Sequence, residues 1–521
     1  MNLDALKNPA SYSHPAANIE LIETHISIVV LTGQFAYKIK KPLDLGFLDF
    51  STLAKRKHFC DEEIRLNQRY APDIYLGVVA ISGTSDAPIF GGDCDGGCPA
   101  IEYAVKMLQF PQTQLLDHLL DKNQLGFERI DELVSVVANF HRRIQTDSLN
   151  IPFDHRDSVY KTALANFDTI TAIIKDPNTL RQLASIEAWS KSSFYSLETI
   201  LDQRAKNGFV RECHGDLHLG NIAIIDDHVT LFDGIEFNER LRWIDVMSEV
   251  AFLIMDLEAR NKPSLAHRAL NAYLQHTGDY DGLRVMRYYQ CYRAMVRAKV
   301  TAIRLNQLEP ESSEGTDTQG SFERYMALAE SYIHTGTPWL VITMGLSGSG
   351  KTTRTEPLIE QGGAIRIRSD VERKRLFGLE EHDDSRSMME GGIYTRSASG
   401  DTYERLADLA AVILESGFPV IVDATFLQAA QRQKFAKLAE KFCVPFTILH
   451  FDADYEVLKQ RIISRQQLNN DASEASVAVL DKQIENIQAL SEQEKQYTVS
   501  INETGDIPAE LILKWVTQAQ V

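Results

Sequence analysis

The chain has 521 residues, 44% of them apolar and 24% charged, the make-up of an ordinary globular protein of two or three domains. Its formal net charge of -18 repels a phosphate backbone and argues against general nucleic-acid binding. No apolar run approaches the roughly 18 to 20 residues that cross a bilayer, the opening stretch "MNLDALKNPASYSHPAANIE" has no signal-peptide core, and six cysteines are too few for a disulfide framework, so a cytoplasmic location without membrane contact is expected.

In chain order, "HISIVVLTGQFAYKIKK" alternates and is β-branched, which predicts two strands with a turn at Thr32-Gly33. A helix over "KRKHFCDEEIRLNQRYA" follows, then strands at "IYLGVVAI" and "IEYAVKMLQF". Between them, Cys94 and Cys98 lie in "GGDCDGGCPA"; with no second pair at metal-binding spacing, this reads as a Gly-rich loop with two ordinary thiols rather than a zinc site. From about Leu115 the pattern is helical, interrupted by "CHGDLHLGNIAIIDDHVTLFDGIEF" at 213–237. A helix is predicted at 288–305. The polar stretch "NQLEPESSEGTDTQGS" reads as a mobile linker, and "FERYMALAESYIHTG" as a bridging helix. From Pro338 the rhythm changes: "WLVITMGL", "FPVIVDATF" and "PFTILHFDA" are apolar runs separated by helical stretches, a βαβ series and hence a parallel sheet. The expected organisation is two domains, α+β then α/β: residues 1–305, a linker and bridging helix at 306–337, and residues 338–521.

Residues 345–352, "GLSGSGKT", fit G-x-x-x-x-G-K-[ST] between a predicted strand and a predicted helix. The glycines let backbone N–H groups converge on phosphate oxygens, and the helix N-terminus adds positive potential. Lys351 would reach the β- and γ-phosphates and Thr352 would ligate Mg²⁺. Gly345, Ser347, Gly348, Ser349, Gly350, Lys351, Thr352 and Thr353 are the predicted nucleotide contacts. Pro357 removes a hydrogen bond from the following helix and is expected to kink it. Downstream, Asp370 and Arg373 sit three apart. The aspartate suits proton abstraction from a hydroxyl and the arginine substrate orientation, but the same residues also suit a helix start with a solvated charge. Asp423 ends a strand, a usual place for a Mg²⁺-linked carboxylate. Arg461 and Arg465 lie one helical turn apart and can close over phosphates or line a solvated face.

These pieces resemble the P-loop kinase family (AAA-type ATP-binding domain) that includes phage polynucleotide 5′-kinase, zeta-type toxins and many small-molecule kinases, over roughly 338–500. The resemblance implies Asp370 as general base, Arg373 as acceptor positioner, Asp423 as support for the metal or substrate, Arg461 and Arg465 as a lid, and Arg432 as a further substrate contact.

In the 213–237 stretch, His214, Asp216 and Asn221 fit H-x-D-x-x-x-x-N, and Asp233 follows a hairpin. Asp216 suits proton abstraction, while Asn221 and Asp233, at adjacent strand ends, can face one Mg²⁺. The segment resembles the aminoglycoside phosphotransferase and choline kinase family, which implies a protein-kinase-like bilobal domain. That likeness matches Asp245 to a later family aspartate, His141 to an upstream helix, and implies a nucleotide-binding lysine in "AYKIKK". Lys38 is the choice among Lys38, Lys40 and Lys41, with Glu63 as its acid partner. One glycine in "LTGQF" stands where the family has a Gly-rich loop.

The expected function is a bifunctional kinase using ATP and Mg²⁺ on hydroxyl groups of small metabolites, with a sugar, amino sugar or nucleotide sugar as candidate acceptors. Two alternatives are a nucleotide-gated regulatory or toxin-like protein with a pseudokinase N-terminal half, and a nucleic-acid 5′-hydroxyl kinase, against which the charge argues.

Overall fold

The computed structural model describes residues 1–46, 48–91, 99–144, 153–309, 312–334, 336–381, 383, 385, 395–468, 472–501, 510 and 513–514. Cys94 and Cys98 lie outside the described residues. Contacts divide the chain into two compact units: Met1–Ala165 with Leu201–Asp256, and Asn166–Ile200 with Leu257–Val521.

The first unit carries six antiparallel strands: β1 (Glu20–Glu23), β2 (Ser27–Leu31), β3 (Phe35–Lys40), β4 (Tyr75–Thr84), β5 (Ala87–Phe90) and β6 (Glu102–Leu108), in the order β1-β2-β3-β6-β4-β5. The β2–β3 turn falls where the sequence places it. Gly33 has φ +96°, a region that favours glycine, and Thr32 N–H bonds Phe35 O at 2.9 Å. The helix Leu53–Asn67 starts on Thr52, whose hydroxyl accepts from Lys55 N–H. Its inner face carries Cys60 and Leu66 into the core, and with them Glu63 and Asn67, two polar side chains one turn apart and both wholly buried. β4 bulges between Tyr75 and Gly77. Further along lie β7 (Val210–Glu212), the hairpin β8 (Ile222–Ile225) and β9 (His228–Leu231), and β10 (Trp243–Asp245), which pairs with β7.

The second unit contains a five-stranded parallel sheet of β11 (Leu340–Met344), β12 (Ile365–Arg368), β13 (Val420–Asp423), β14 (Phe446–Phe451) and β15 (Thr498–Ile501), ordered β12-β13-β11-β14-β15. β11 is buried along its whole length, as a continuous apolar run in a parallel sheet should be. The boundaries expected at 305 and 337 both fall inside this unit. So does the predicted linker with its bridging helix; the chain is helical from Ser313 to Ser331, so the helix expected from Phe322 starts earlier, inside the stretch read as a linker. The correction has a physical cause. Ser312 caps the helix through Gly315 N–H, and the stripe buried by Phe322, Tyr325, Met326 and Ala329 anchors a helix whose first turns carry the polar residues read as a linker. Among the described residues no helix is long and apolar enough to cross a membrane.

Candidate functional site

In the first unit, alternation along β3 puts Lys38 and Lys40 on one face, and both meet Glu63 from the neighbouring helix. Lys38 Nζ lies 2.9 Å from Glu63 Oε1 and also pairs with Asp233; Lys40 Nζ lies 2.6 Å from Glu63 Oε2 and also pairs with Glu236. Burial alone would lower the Lys38 ammonium, but the Asp233 and Glu63 carboxylates outweigh it and hold the group well above its ordinary value. Burial would raise Glu63; the two lysines hold it down to about 2. Lys41 bonds Glu23 on β1 instead. Sequence alternation anticipated the shared lysine face, but not Glu236, which completes the buried network.

The loop 213–221 is pinned from below. Glu249 accepts His214 N–H at 3.1 Å and Gly215 N–H at 2.7 Å, and its carboxylate lies 3.1 Å from His141 Nε2. Burial would raise Glu249, but the His141 bond, the charges of His141 and His214, and the Gly215 N–H hold it down to about 2. Asp256 accepts Leu219 N–H at 3.0 Å. His214 Nε2 lies 2.8 Å from Phe232 O, which assigns the proton to that nitrogen and ties the loop to the end of β9. At Gly215 (φ +88°) a Cβ would come within 2.7 Å of Leu241 O, so the turn needs glycine. Asn221 Nδ2 donates to Asp216 Oδ2 at 3.1 Å and to its carbonyl at 3.0 Å. Phe232 N–H returns to Asn221 O at 3.0 Å, so the hairpin sets Asn221 beside the segment leading to Asp233. Asp233 takes a left-handed backbone (φ +61°), its N–H on Tyr75 Oη at 2.9 Å, and Gly234 N–H bonds Asn67 Oδ1 at 2.8 Å. Asp216 and Asp233 are 37% and 42% exposed, open to ligand while their supports are buried.

Glu249, Asp256, Asn67 and Tyr75 carry the geometry and went unnamed in the motif. The signal available was Asn67 one turn after Glu63 on the same helix face. Asp245 and Arg204 form a buried two-pronged ion pair, at 2.7 and 2.9 Å, so the Asp245 carboxylate is committed to holding β10.

In the second unit, the loop 345–350 leaves β11 and turns into the helix Lys351–Glu360. A Cβ on Gly345 would come within 2.6 Å of Phe451 O, and Gly348 and Gly350 have φ +83° and +84°. Ser347 N–H bonds Gln483 Oε1 at 2.8 Å and Gln483 Nε2 bonds Ser347 Oγ at 3.0 Å, so the helix Val477–Asn486 braces the loop. Ser349 Oγ is buried without a partner among the described residues. Lys351 Nζ folds back onto the Gly345 and Leu346 carbonyls at 3.0 and 2.8 Å, and burial lowers its proton affinity against the pull of Asp423 and Asp370. Thr352 Oγ1 donates to Asp423 Oδ2 at 2.7 Å. A glycine-lined curl, a buried hydroxyl without a partner among the described residues and an ammonium resting on two backbone carbonyls fit a bound polyphosphate. The Thr352–Asp423 pair fits a hard divalent cation.

Asp370 opens the helix Ser369–Leu376, with Arg373 Nη1 at 3.4 Å. Arg461 Nη1 reaches Gly348 O at 3.3 Å, and Arg465 Nη2 reaches Ala475 O at 3.4 Å. Lys351, Thr352, Asp370, Arg373, Asp423, Arg461 and Arg465, with Ser347, Gly348, Gly350 and Thr353, all line one cavity of about 650 Å³. The fold also brings Arg368, Tyr403 and Lys482 into its wall, residues that no contiguous motif marks. Arg432 is a correction. It is buried, bonded to Glu494 at 2.6 Å and to the Phe426 and Ala489 carbonyls, so its side chain holds the fold together and does not reach a substrate.

Residues 111–288 match the family model described as the phosphotransferase enzyme family, and residues 340–490 match one described as an AAA domain. Both matched segments are similar to kinase families. Uncharacterized proteins of Mycobacterium tuberculosis and Mycobacterium bovis are 28% identical over 474 residues, 90% of this chain and 91% of theirs. Among solved structures, a putative kinase from Chloroflexus aurantiacus (23% identity, TM-score 0.29) aligns with 36% of this chain and 100% of its own. A choline/ethanolamine kinase family protein from Mesorhizobium loti (11% identity, TM-score 0.38) aligns with 63% of this chain and 96% of its own.

Proposed function

We propose that the chain is a bifunctional, cytoplasmic phosphotransferase that uses ATP and Mg²⁺ at two sites to phosphorylate hydroxyl groups of small metabolites, a sugar, amino sugar or nucleotide sugar among them. In the first unit Asp216 takes the acceptor proton, oriented by Asn221. Asp233 and Asn221 offer oxygens to the metal, and Lys38, aligned by Glu63, meets the nucleotide phosphates. In the second unit backbone N–H groups of 345–350 and Lys351 hold the phosphates, and Thr352 with Asp423 holds the metal. Arg461 and Arg465 balance charge on the transferring group; Asp370 takes the acceptor proton and Arg373 orients the acceptor. The observation that carries this reading is the convergence of Lys351, Thr352, Asp423 and Asp370 on one cavity.

The single-glycine turn at Gly33 and the Lys38–Asp233 ion pair favour a second reading, in which the first unit binds nucleotide and regulates without transferring phosphate. Labelled ATP and a metabolite extract separate the two. Wild type, Asp216→Ala and Lys351→Ala proteins are compared by resolving the labelled products. Two product sets, each lost in one variant by about 10²–10⁴-fold, are expected. Products that depend on Lys351 alone, whatever the acceptor, would leave the first unit a regulator.

A further inference from the structure

The helix Pro263–Thr277 belongs by sequence to the phosphotransferase-family match and by contacts to the same compact unit as the P-loop. It lies against β12, an outer strand of the parallel sheet. Alternate N–H groups of an outer strand have no strand to bond. Ile365 N–H pairs inward with Pro419 O, and the next, Arg366 N–H, is met at 2.7 Å by the buried side chain of Asn271. The Arg366 guanidinium, itself buried, then donates through Nη1 to Thr352 O and, at 3.2 Å, to Thr355 Oγ1. Its Nε has no acceptor among the described residues. These bonds grip the first turn of the helix Lys351–Glu360, which Pro357 deprives of a ladder bond to Thr353 O. At the far end of that helix, His267 Nδ1 lies 2.9 Å from Glu360 O and Arg268 pairs with the Glu360 carboxylate at 2.9 Å. The Pro263–Thr277 helix thus holds the phosphate-loop helix at both ends, and at the near end through the residue whose hydroxyl meets Asp423.

We infer that Asn271 and Arg366 are positioning residues of the P-loop site: through them a helix of the phosphotransferase-family segment sets the backbone of Thr352 and with it the metal-dependent part of nucleotide affinity. The inference rests on the proposed nucleotide site around Lys351. It extends that proposal by making one kinase segment a working part of the other. A large side chain or a lost acceptor at 271 releases Arg366, and the turn carrying Thr352 relaxes around Pro357.

The test uses the full chain with Lys38→Met to silence the first site, and fluorescent ADP as probe, titrated with and without Mg²⁺. Asn271→Leu and Arg366→Met are expected to weaken Mg²⁺-dependent binding at least fivefold and metal-free binding less than twofold. Asn271→Asp, which keeps the acceptor oxygen, should stay within twofold of its parent. Arg268→Ala removes the contact of the same helix to Glu360, at the end of the helix far from Thr352, and should leave the metal-dependent increment within twofold of its parent. Equal losses with and without metal, or the same loss in Arg268→Ala, would overturn the inference and leave a scaffold only. If Asn271→Leu fails to fold, Arg366→Met and Arg366→Lys decide alone. A parent that binds no probe, or binds it equally well with Lys351→Met, refutes the nucleotide site itself.

Discussion

Glu258 offers a stability test with a defined pH window. It stands on the helix Val246–Ala259, and its Oε2 accepts from Tyr332 O–H and from Gln290 Nε2 at 3.2 Å. Burial, opposed by those two bonds, raises its carboxyl to about 7, from an ordinary value of 4.5. The folded state therefore keeps a proton that the unfolded chain gives up. A raised folded pKa means stability fully present below about 4.5 and lost as pH rises toward 7, level above it. The difference between 4.5 and about 7 corresponds to at most about 3.4 kcal/mol at 1.36 kcal/mol per unit, and the residue keeps a small exposed area, so about 1–3 kcal/mol is the range. Glu258→Gln keeps one oxygen to accept both bonds and removes the titration. The variant should gain on wild type by about 1–2 kcal/mol between pH 5.5 and 7, then hold a constant difference to pH 8.5. In calorimetry that is roughly 2–4 °C of midpoint per kcal/mol. A difference flat from pH 5.5 to 8.5, or one that shrinks as pH rises, would refute the linkage between this carboxyl and the packing of the Ser313–Ser331 helix.

Two changes test the framework of the first unit. Gly234→Ala would place a Cβ 2.0 Å from Tyr70 Oη and should cost about 1–3 kcal/mol with loss of first-site transfer, both largely restored by Tyr70→Phe; urea midpoints and product labelling check it. Glu249→Gln weakens the hold on the His214 and Gly215 N–H groups, and should lower Asp216-dependent labelling at least tenfold while nucleotide affinity at the Lys351 site stays within twofold. A drop at both sites would show that Glu249 serves general stability only.

What could be read from sequence depended on how locally each site is written. The P-loop is one contiguous curl, so its glycines, Lys351 and Thr352 were all legible, and the strand-terminal position of Asp423 followed from the βαβ rhythm. The first site is assembled from β3, a helix and a hairpin. Asp216, Asn221 and Asp233 showed because the hairpin spacing is short, and Lys38 with Glu63 only through the family resemblance. Glu249, Asp256 and Asn67 act on backbone N–H groups far away in sequence, and nothing local distinguishes such an acid from a solvated one. Arg432 failed for the complementary reason. An arginine in the first turn of a helix looks available until its partner, Glu494, is known, and that partner is 62 residues downstream. The 306–321 stretch misled because its Ser, Gly and Thr content describes a turn, while the apolar stripe that anchors the helix from Ser313 begins only at Phe322.

The same distinction bears on how the two proposed phosphotransfer sites share a chain. In both proposed sites the groups offered to a ligand stand over buried supports: the half-exposed Asp216 over Glu249, and Thr352 with the buried Asp423 over Arg366. Those buried supports are where a second segment can act without touching a ligand. For the P-loop the support reaches Asn271, a residue inside the phosphotransferase-family match, so a boundary drawn between the two motifs cuts through the foundation of the second site. An outer strand with an unpaired N–H, and a helix interrupted by proline, each carry a defect in isolation. One asparagine-arginine chain answers both, which is a physical reason for these two kinase-like segments to occupy one polypeptide that does not depend on their substrates being related.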